Sequence, residues 1–227
     1  MSRRKRKIKK RILTILVFAI VFFAGGKIGE SVTEGASKLY ERLTWQQPKE
    51  WNLILVNSDH VIPENYTVTL VEAEEGKYVD ERIYKALNEM FVAAREDGIY
   101  PVIRDAYRSA EKQQEIMDDK IKAYKAEGYP EILAKRFAKD WVAEPGTSEH
   151  QLGMAVDINA DKTLSTNQEV YDWLAENAYK YGFILRYPDD KEEITGIAYE
   201  SWHYRYVGEE AAKEMYEQNL CLEEYLH

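Results

Sequence analysis

The chain has 227 residues, 45% of them apolar and 31% charged, with a formal net charge of −9. Those values suit one globular domain with a real core plus an appendage. Beyond residue 27 there are 22 basic against 40 acidic residues, a balance of −18 that argues against a nucleic-acid partner, and the single cysteine, Cys221, excludes an internal disulfide.

Residues 1–11 carry eight Lys or Arg and no acid, and residues 12–26 carry no charge. A basic flank before an apolar run reads as an export signal or a signal anchor. The uncharged run of 15 residues is shorter than the roughly 20 that span a bilayer. Ile28 and the stems of the flanking basic side chains extend it. Residues 12–28 are therefore expected to form a membrane-embedded helix, and Ala24-x-Gly26 is where the chain would be cut if the segment is instead a cleaved leader. The positive flank stays in the cytoplasm, so the rest of the chain is expected outside. Residues 29–50 read as a spacer and residues 51–227 as the folded domain.

Within that domain, Trp51 to Val56 has strand character, and Val61 to Val71 reads as irregular extended chain. Val79, Ile83, Leu87, Met90, Phe91 and Ala94 recur at helical spacing, which predicts a helix from Tyr78 to Glu96 stopped by Gly98. Pro101 to Arg104 is a predicted strand. Ser109 can cap a helix from Ala110 to Glu127, ended by Gly128. A shorter helix is expected from Glu131 to Trp141, then a loop at Pro145-Gly146. Gly153 to Ile158 reads as a buried strand. Thr166-x-x-Glu169 is a capping box opening a helix to Tyr181. Phe183 to Arg186 and Trp202 to Val207 are the last strands, and Gly208 to Gln218 the closing helix. Composition leaves open whether the strands run parallel or antiparallel. Trp141, Trp173 and Trp202 are core candidates, His60 and His227 read as surface residues, and Asp189-Asp190 with Glu192-Glu193 as a solvated acidic loop.

The chemistry concentrates in two stretches. Ser148-Glu149-His150-Gln151-Leu152-Gly153-Met154-Ala155-Val156-Asp157 holds a histidine and an aspartate around a glycine. Glu200-Ser201-Trp202-His203-Tyr204-Arg205 adds a histidine and a carboxylate. Either histidine alone would pass for an ordinary core or surface residue. Jointly, His150, Asp157 and His203 offer three ligands to a divalent metal, with Glu200 left as a base beside the open position. His150 and Asp157 are seven apart and cannot share a face of one unbroken strand. His150 is thus expected on a loop and Asp157 on the following strand, with Glu200 before the last strand. Zinc suits two imidazoles and a carboxylate.

The pattern S-x-H-x-x-G-x-A-x-D at 148–157, then E-x-W-H-x-R at 200–205, preceded by Tyr107-Arg108-Ser109 and Gln113, resembles the VanY-type zinc D-alanyl-D-alanine carboxypeptidases. The resemblance covers about residues 100–207. It implies an α+β fold, a small antiparallel sheet flanked by helices, shared with the hedgehog signalling domain. It implies Zn2+ held by His150, Asp157 and His203, Glu200 as catalytic base, and Arg108 on the substrate carboxylate or developing oxyanion. Ser148 and Gln113 match residues lining the substrate pocket. A guanidinium grips a free carboxylate through two parallel hydrogen bonds, which is the physical reason for Arg108; Arg205 has a supporting place. Ala106 and Leu152 stand where glycine and threonine are common in the family, which leaves the pocket's preference open. The implied activity is removal of the terminal D-alanine from peptidoglycan stem peptides at the outer membrane face. The rival readings are an L,D-carboxypeptidase acting on tetrapeptide stems, a peptidoglycan endopeptidase, and a non-enzymatic binding module.

Overall fold

A computed structural model describes residues 50–226. The basic flank, the expected anchor and the spacer up to residue 49 lie outside the described residues, as does His227. Among the described residues, no helix is long and apolar enough to cross a membrane.

The apolar run at Trp51–Val56 does not form a strand. It opens as a 3-10 turn, Trp51–Leu53, and continues as extended chain with Ile54, Leu55 and Val56 buried. The carbonyls of Asn52 and Ile54 accept hydrogen bonds from the Arg205 guanidinium (3.1 and 3.0 Å), so a side chain satisfies them where a strand ladder was expected. Next comes an antiparallel hairpin that the sequence did not announce, β1 (Leu70–Glu74) and β2 (Lys77–Asp80). The hairpin takes the first residues assigned above to a helix. Helix α1 therefore starts at Glu81 and runs to Glu96, its first turn capped by the Asp80 carboxylate, which accepts from the Arg82 N–H at 2.9 Å. The apolar stripe Ile83, Leu87, Met90, Phe91 and Ala94 is buried as its spacing requires.

Strand β3 (Pro101–Asp105) leads to α2 (Ala110–Ala126), whose cap is the Ser109 hydroxyl accepting from the Lys112 N–H. Helix α3 (Glu131–Lys139) ends two residues before Trp141. That indole is 52% exposed, so Trp141 is not a core residue. Strand β4 (Ala155–Ala160) precedes α4 (Asn167–Asn177), which carries the Thr166/Glu169 capping box in full. A 3-10 turn, Ala178–Tyr181, extends α4 as far as Gly182. Then follow β5 (Phe183–Leu185), a short α5 (Glu192–Thr195), β6 (His203–Tyr206), α6 (Glu209–Gln218) and α7 (Leu222–Tyr225).

The main sheet has the order β3-β4-β6-β5 and every pairing in it is antiparallel. The fold is α+β. Alternation along β4 divides its side chains between two faces. Val156, Ile158 and Ala160 join Ile103, Tyr204, α1 and α4 in the main core. Asp157 points to the opposite face, and this separation allows an acid in the middle of a buried strand. Trp173 packs partly buried against the same core, its indole N–H donating to Asp97 at 2.8 Å.

Gly153 is a point of close approach between the site and the hairpin. It sits at φ +70, and an added Cβ would lie 3.0 Å from the Asp80 backbone nitrogen and 3.1 Å from a Val68 methyl. A side chain in the left-handed region costs about 1–2 kcal/mol before any clash is counted. Gly153→Ala is therefore expected to destabilise the domain by at least about that amount, measured as a lowered denaturant midpoint with an unchanged m-value.

Candidate active site

Strand register builds most of the site. Asp157 on β4 lies directly opposite His203 on β6, and Asp105 on β3 lies opposite Asp157. Direct cross-strand neighbours project from the same face at close range. Arg186, just past β5, extends this row, its N–H donating to the His203 carbonyl at 3.1 Å. His150 arrives from outside the sheet on the 3-10 turn Glu149–Leu152, which Gly153 closes in the left-handed conformation. Glu200 stands in the loop before β6 and Arg108 in the loop after β3.

His150, Asp157 and His203 meet as a buried group, with one possible ligand atom from each lying within 4.8 Å of the others. His150 Nε2 is 3.4 Å and His203 Nδ1 is 3.1 Å from Asp157 Oδ1. Four tetrahedral ligands at about 2.1 Å from zinc stand about 3.4 Å apart, so these spacings fit the ion. The donor chemistry fits as well. His150 Nδ1 lies 2.7 Å from the Ala106 carbonyl, which can only accept. Nδ1 therefore carries the proton and Nε2 presents its lone pair to the cluster. Residue 106 serves here through its backbone, so alanine in place of the family's common glycine leaves this contact intact.

Two charged side chains border the triangle. Glu200 Oε2 lies 3.6 Å from His203 Nδ1. Burial raises the Glu200 pKa, reinforced by Asp157 and opposed by His203 and Arg108. Arg108 donates from Nε to Asp105 (3.0 Å), from Nη1 to Gln113 (3.2 Å) and from Nη2 to Asp157 (3.4 Å). Gln113 in turn donates to the Ala143 carbonyl at 2.7 Å, which fixes its amide and aims Arg108. All of these residues except Asp105 line one cavity of about 170 Å³, together with the buried Ser148 and an apolar wall of Ile116, Trp141, Val142 and Ile197. Every residue singled out from the sequence as ligand, base or substrate contact thus borders the same cavity.

The pKa shifts follow from this crowding. Burial lowers His150, since it penalises the charged ring. Burial also opposes charge on Asp157, but the two histidines outweigh it and hold this carboxyl far below the usual range. His203 is lifted to about 9: burial works against its charged form, and the carboxylates of Asp157, Glu149 and Glu200 around it prevail. A cation entering the triangle at neutral pH must therefore displace a proton from His203.

Behind the site lies a buried ionic network that sequence reasoning missed. Glu149 and Arg186 have fully buried side chains. Arg186 Nε donates to Glu149 at 2.8 Å, and its two terminal nitrogens donate to Glu223 at 2.8 and 2.7 Å. Arg205, also fully buried, brings a nitrogen to 3.0 Å from Glu149. Two carboxylates and two guanidiniums balance in charge. Burial alone would raise the Glu223 pKa, but Arg186 outweighs it and the net shift is downward from 4.5. A depressed carboxylate contributes stability above its unfolded pKa and loses it as pH falls through the folded value. Acid unfolding monitored by circular dichroism is thus expected to steepen below about pH 4.5, and Glu223→Gln to flatten that dependence.

Three buried side chains that could hold a metal ion, with a fourth carboxylate beside them, are the inventory of a metal-dependent hydrolase. The comparisons with known proteins point the same way. The family model for VanY, D-alanyl-D-alanine carboxypeptidase, matches residues 76–209. A D-alanyl-D-alanine carboxypeptidase of Enterococcus faecalis is 59% identical over 179 residues, 79% of this chain and 67% of that protein. The putative carboxypeptidase YodJ of Bacillus subtilis is 37% identical over 76% of this chain and 66% of its own length. Among solved structures, a mutant of the vancomycin-resistance D,D-pentapeptidase VanY from the VanB-type cassette, in complex with Zn(II), superposes with a TM-score of 0.76 at 59% identity, covering 78% of this chain and all of that one. The LdcB LD-carboxypeptidase superposes at 0.63 with 36% identity, over 77% of this chain and 86% of that one. The chain belongs to the VanY family of D-alanyl-D-alanine carboxypeptidases.

Proposed function

We propose that this chain is a zinc-dependent D,D-carboxypeptidase that removes the C-terminal D-alanine from peptidoglycan stem peptides. The observation that carries the reading is that one small cavity holds the His150–Asp157–His203 triangle, a raised glutamate and an arginine together. VanYB, a solved relative at 59% identity and a TM-score of 0.76, is in complex with D-alanine-D-alanine, which supports a substrate of that type.

His150 Nε2, Asp157 and His203 Nδ1 would hold the zinc. Bound there, the ion would supply Lewis acidity, polarising a carbonyl and bringing the pKa of a water down from about 16 to about 7. Glu200 accepts the proton of the attacking water and returns it to the leaving amine. Its burial serves this task, because a raised pKa makes the carboxylate a better base. Arg108, aimed by Gln113 and Asp105, pairs with the terminal carboxylate or with charge developing on the scissile oxygen. Ser148 adds a polar contact at the pocket floor, and the apolar wall receives the substrate's methyl groups. The D,D reading is favoured over L,D by identity, 59% to VanY against 36% to LdcB.

The basic flank 1–11 and the uncharged run after it support a membrane-tethered domain on the outer face. Protease added to intact cells should then degrade the domain. The substrate class is tested by mass spectrometry on three synthetic peptides. A pentapeptide ending in D-Ala-D-Ala should lose one residue. The tetrapeptide should react far more slowly. The pentapeptide with its terminal carboxyl converted to an amide should be inert, and its cleavage at an equal rate would replace the carboxypeptidase reading with an endopeptidase one.

A further inference from the structure

We propose that Glu149 is a positioning residue for His203, accepting the Nε2–H of that ring through its Oε2 and so reserving Nδ1 for the metal. The proposal rests on the reading of His150, Asp157 and His203 as the metal ligands.

Two buried polar atoms motivate it. Glu149 Oε2 and His203 Nε2 each have no hydrogen-bond partner in the structure, and they face each other at 3.7 Å. On the other side of the ring, Nδ1 is the atom beside Asp157 and Glu200. An imidazole that gives its Nδ1 lone pair to a metal must carry its proton on Nε2. A buried N–H needs an acceptor, and Glu149 Oε2 faces it across that short gap.

Glu149 is held for this purpose. Its Oε1 accepts from Arg186 Nε at 2.8 Å and sits 3.0 Å from Arg205 Nη1, which leaves Oε2 as its outward atom. Arg186 is fixed by a two-point pairing with Glu223 on α7, and Glu223 also accepts from Asn57 at 3.1 Å. Arg205 is anchored to the carbonyls of Asn52, Ile54 and Tyr206. Glu149 immediately precedes His150 on the same 3-10 turn. One short turn thus supplies the first imidazole ligand and orients the second, while the Ala106 carbonyl orients the first. Partners of this kind fix a ligand's tautomer and ring angle.

Glu149→Gln is the informative change. An amide has one oxygen and one NH2, so it must turn its NH2 either toward the two guanidiniums or toward the His203 N–H. Glu223→Gln is the control, since it weakens the same Arg186 network without touching His203. Zinc affinity of the full chain is measured by competition with a chromophoric chelator, alongside thermal unfolding of the zinc-free protein. Both variants should unfold at lower temperature, but Glu149→Gln should weaken zinc binding about 10–100-fold and Glu223→Gln less than about threefold. Equal weakening by both, or unchanged affinity in Glu149→Gln, would overturn the positioning role. Failure of the unaltered chain to take up zinc would instead overturn the ligand assignment beneath it. If Glu149→Gln does not fold, nitrogen-15 histidine spectra of the zinc-loaded unaltered chain decide. His203 should show metal on Nδ1 and a slowly exchanging proton on Nε2; metal on Nε2, or a rapidly exchanging proton there, would overturn the proposal.

Discussion

Glu200→Ala is expected to lower the turnover of D-alanine release by about 10²–10⁴-fold while leaving one zinc per chain. The split follows from position. Glu200 stands 3.6 Å from His203 Nδ1 and is not one of the three clustered candidate ligands. Its loss removes the proton acceptor and returns nothing to the leaving amine, and it leaves the triangle complete. Glu200→Gln keeps the shape and should be nearly as inactive, since an amide cannot take the proton. A steady-state assay beside metal analysis measures both halves. If Glu200→Ala turned over at near the parent rate, or lost its zinc, the carboxylate would be a spectator or a ligand, and a different base would be needed.

Arg186→Leu should be the most destabilising single change in the domain. It strips two buried carboxylates, Glu149 and Glu223, of their shared counter-charge. Breaking a buried pair by removing one partner costs about 3–5 kcal/mol. Total stability of a domain is only about 5–15 kcal/mol, so this variant approaches the folding threshold. Chemical denaturation should show the loss. Adding Glu223→Gln to Arg186→Leu should recover part of it, because one orphaned carboxylate is then neutral. Strict additivity of the two losses would mean that the side chains do not act on each other.

Much of this architecture can be read locally. Ser109 and the Thr166/Glu169 pair announce helix starts by their own side-chain chemistry, and both caps form. The stripe from Ile83 to Ala94 announces a buried face. The His150–Asp157–His203 cluster is legible because its residue types are unusual in combination, and because His150 and Asp157, seven positions apart, force a turn before the strand. Other features depend on contacts between distant segments. The β1–β2 hairpin is hidden by Glu72, Glu74, Glu75 and Lys77, whose charges mask any alternation. Trp51–Val56 looks like a strand because its burial is real, yet its carbonyls turn to Arg205. The opposition of Asp157 and His203 is a matter of register between strands more than 40 residues apart. The buried network was the least accessible. Charged residues are rarely buried unless paired, and nothing in the chain order pairs Glu149 with Arg186 or Glu223. The one local hint is the position of Glu149 beside a ligand, between Ser148 and His150.

The central claim is that His150, Asp157 and His203 bind a zinc ion without which the chain does no chemistry. It is tested most directly by measuring D-alanine release from a D-Ala-D-Ala pentapeptide before and after stripping the purified chain with a chelator, with zinc content followed at each step. One zinc per chain, loss of release on stripping and its return on adding zinc is the result predicted. Undiminished release from zinc-free protein would contradict it.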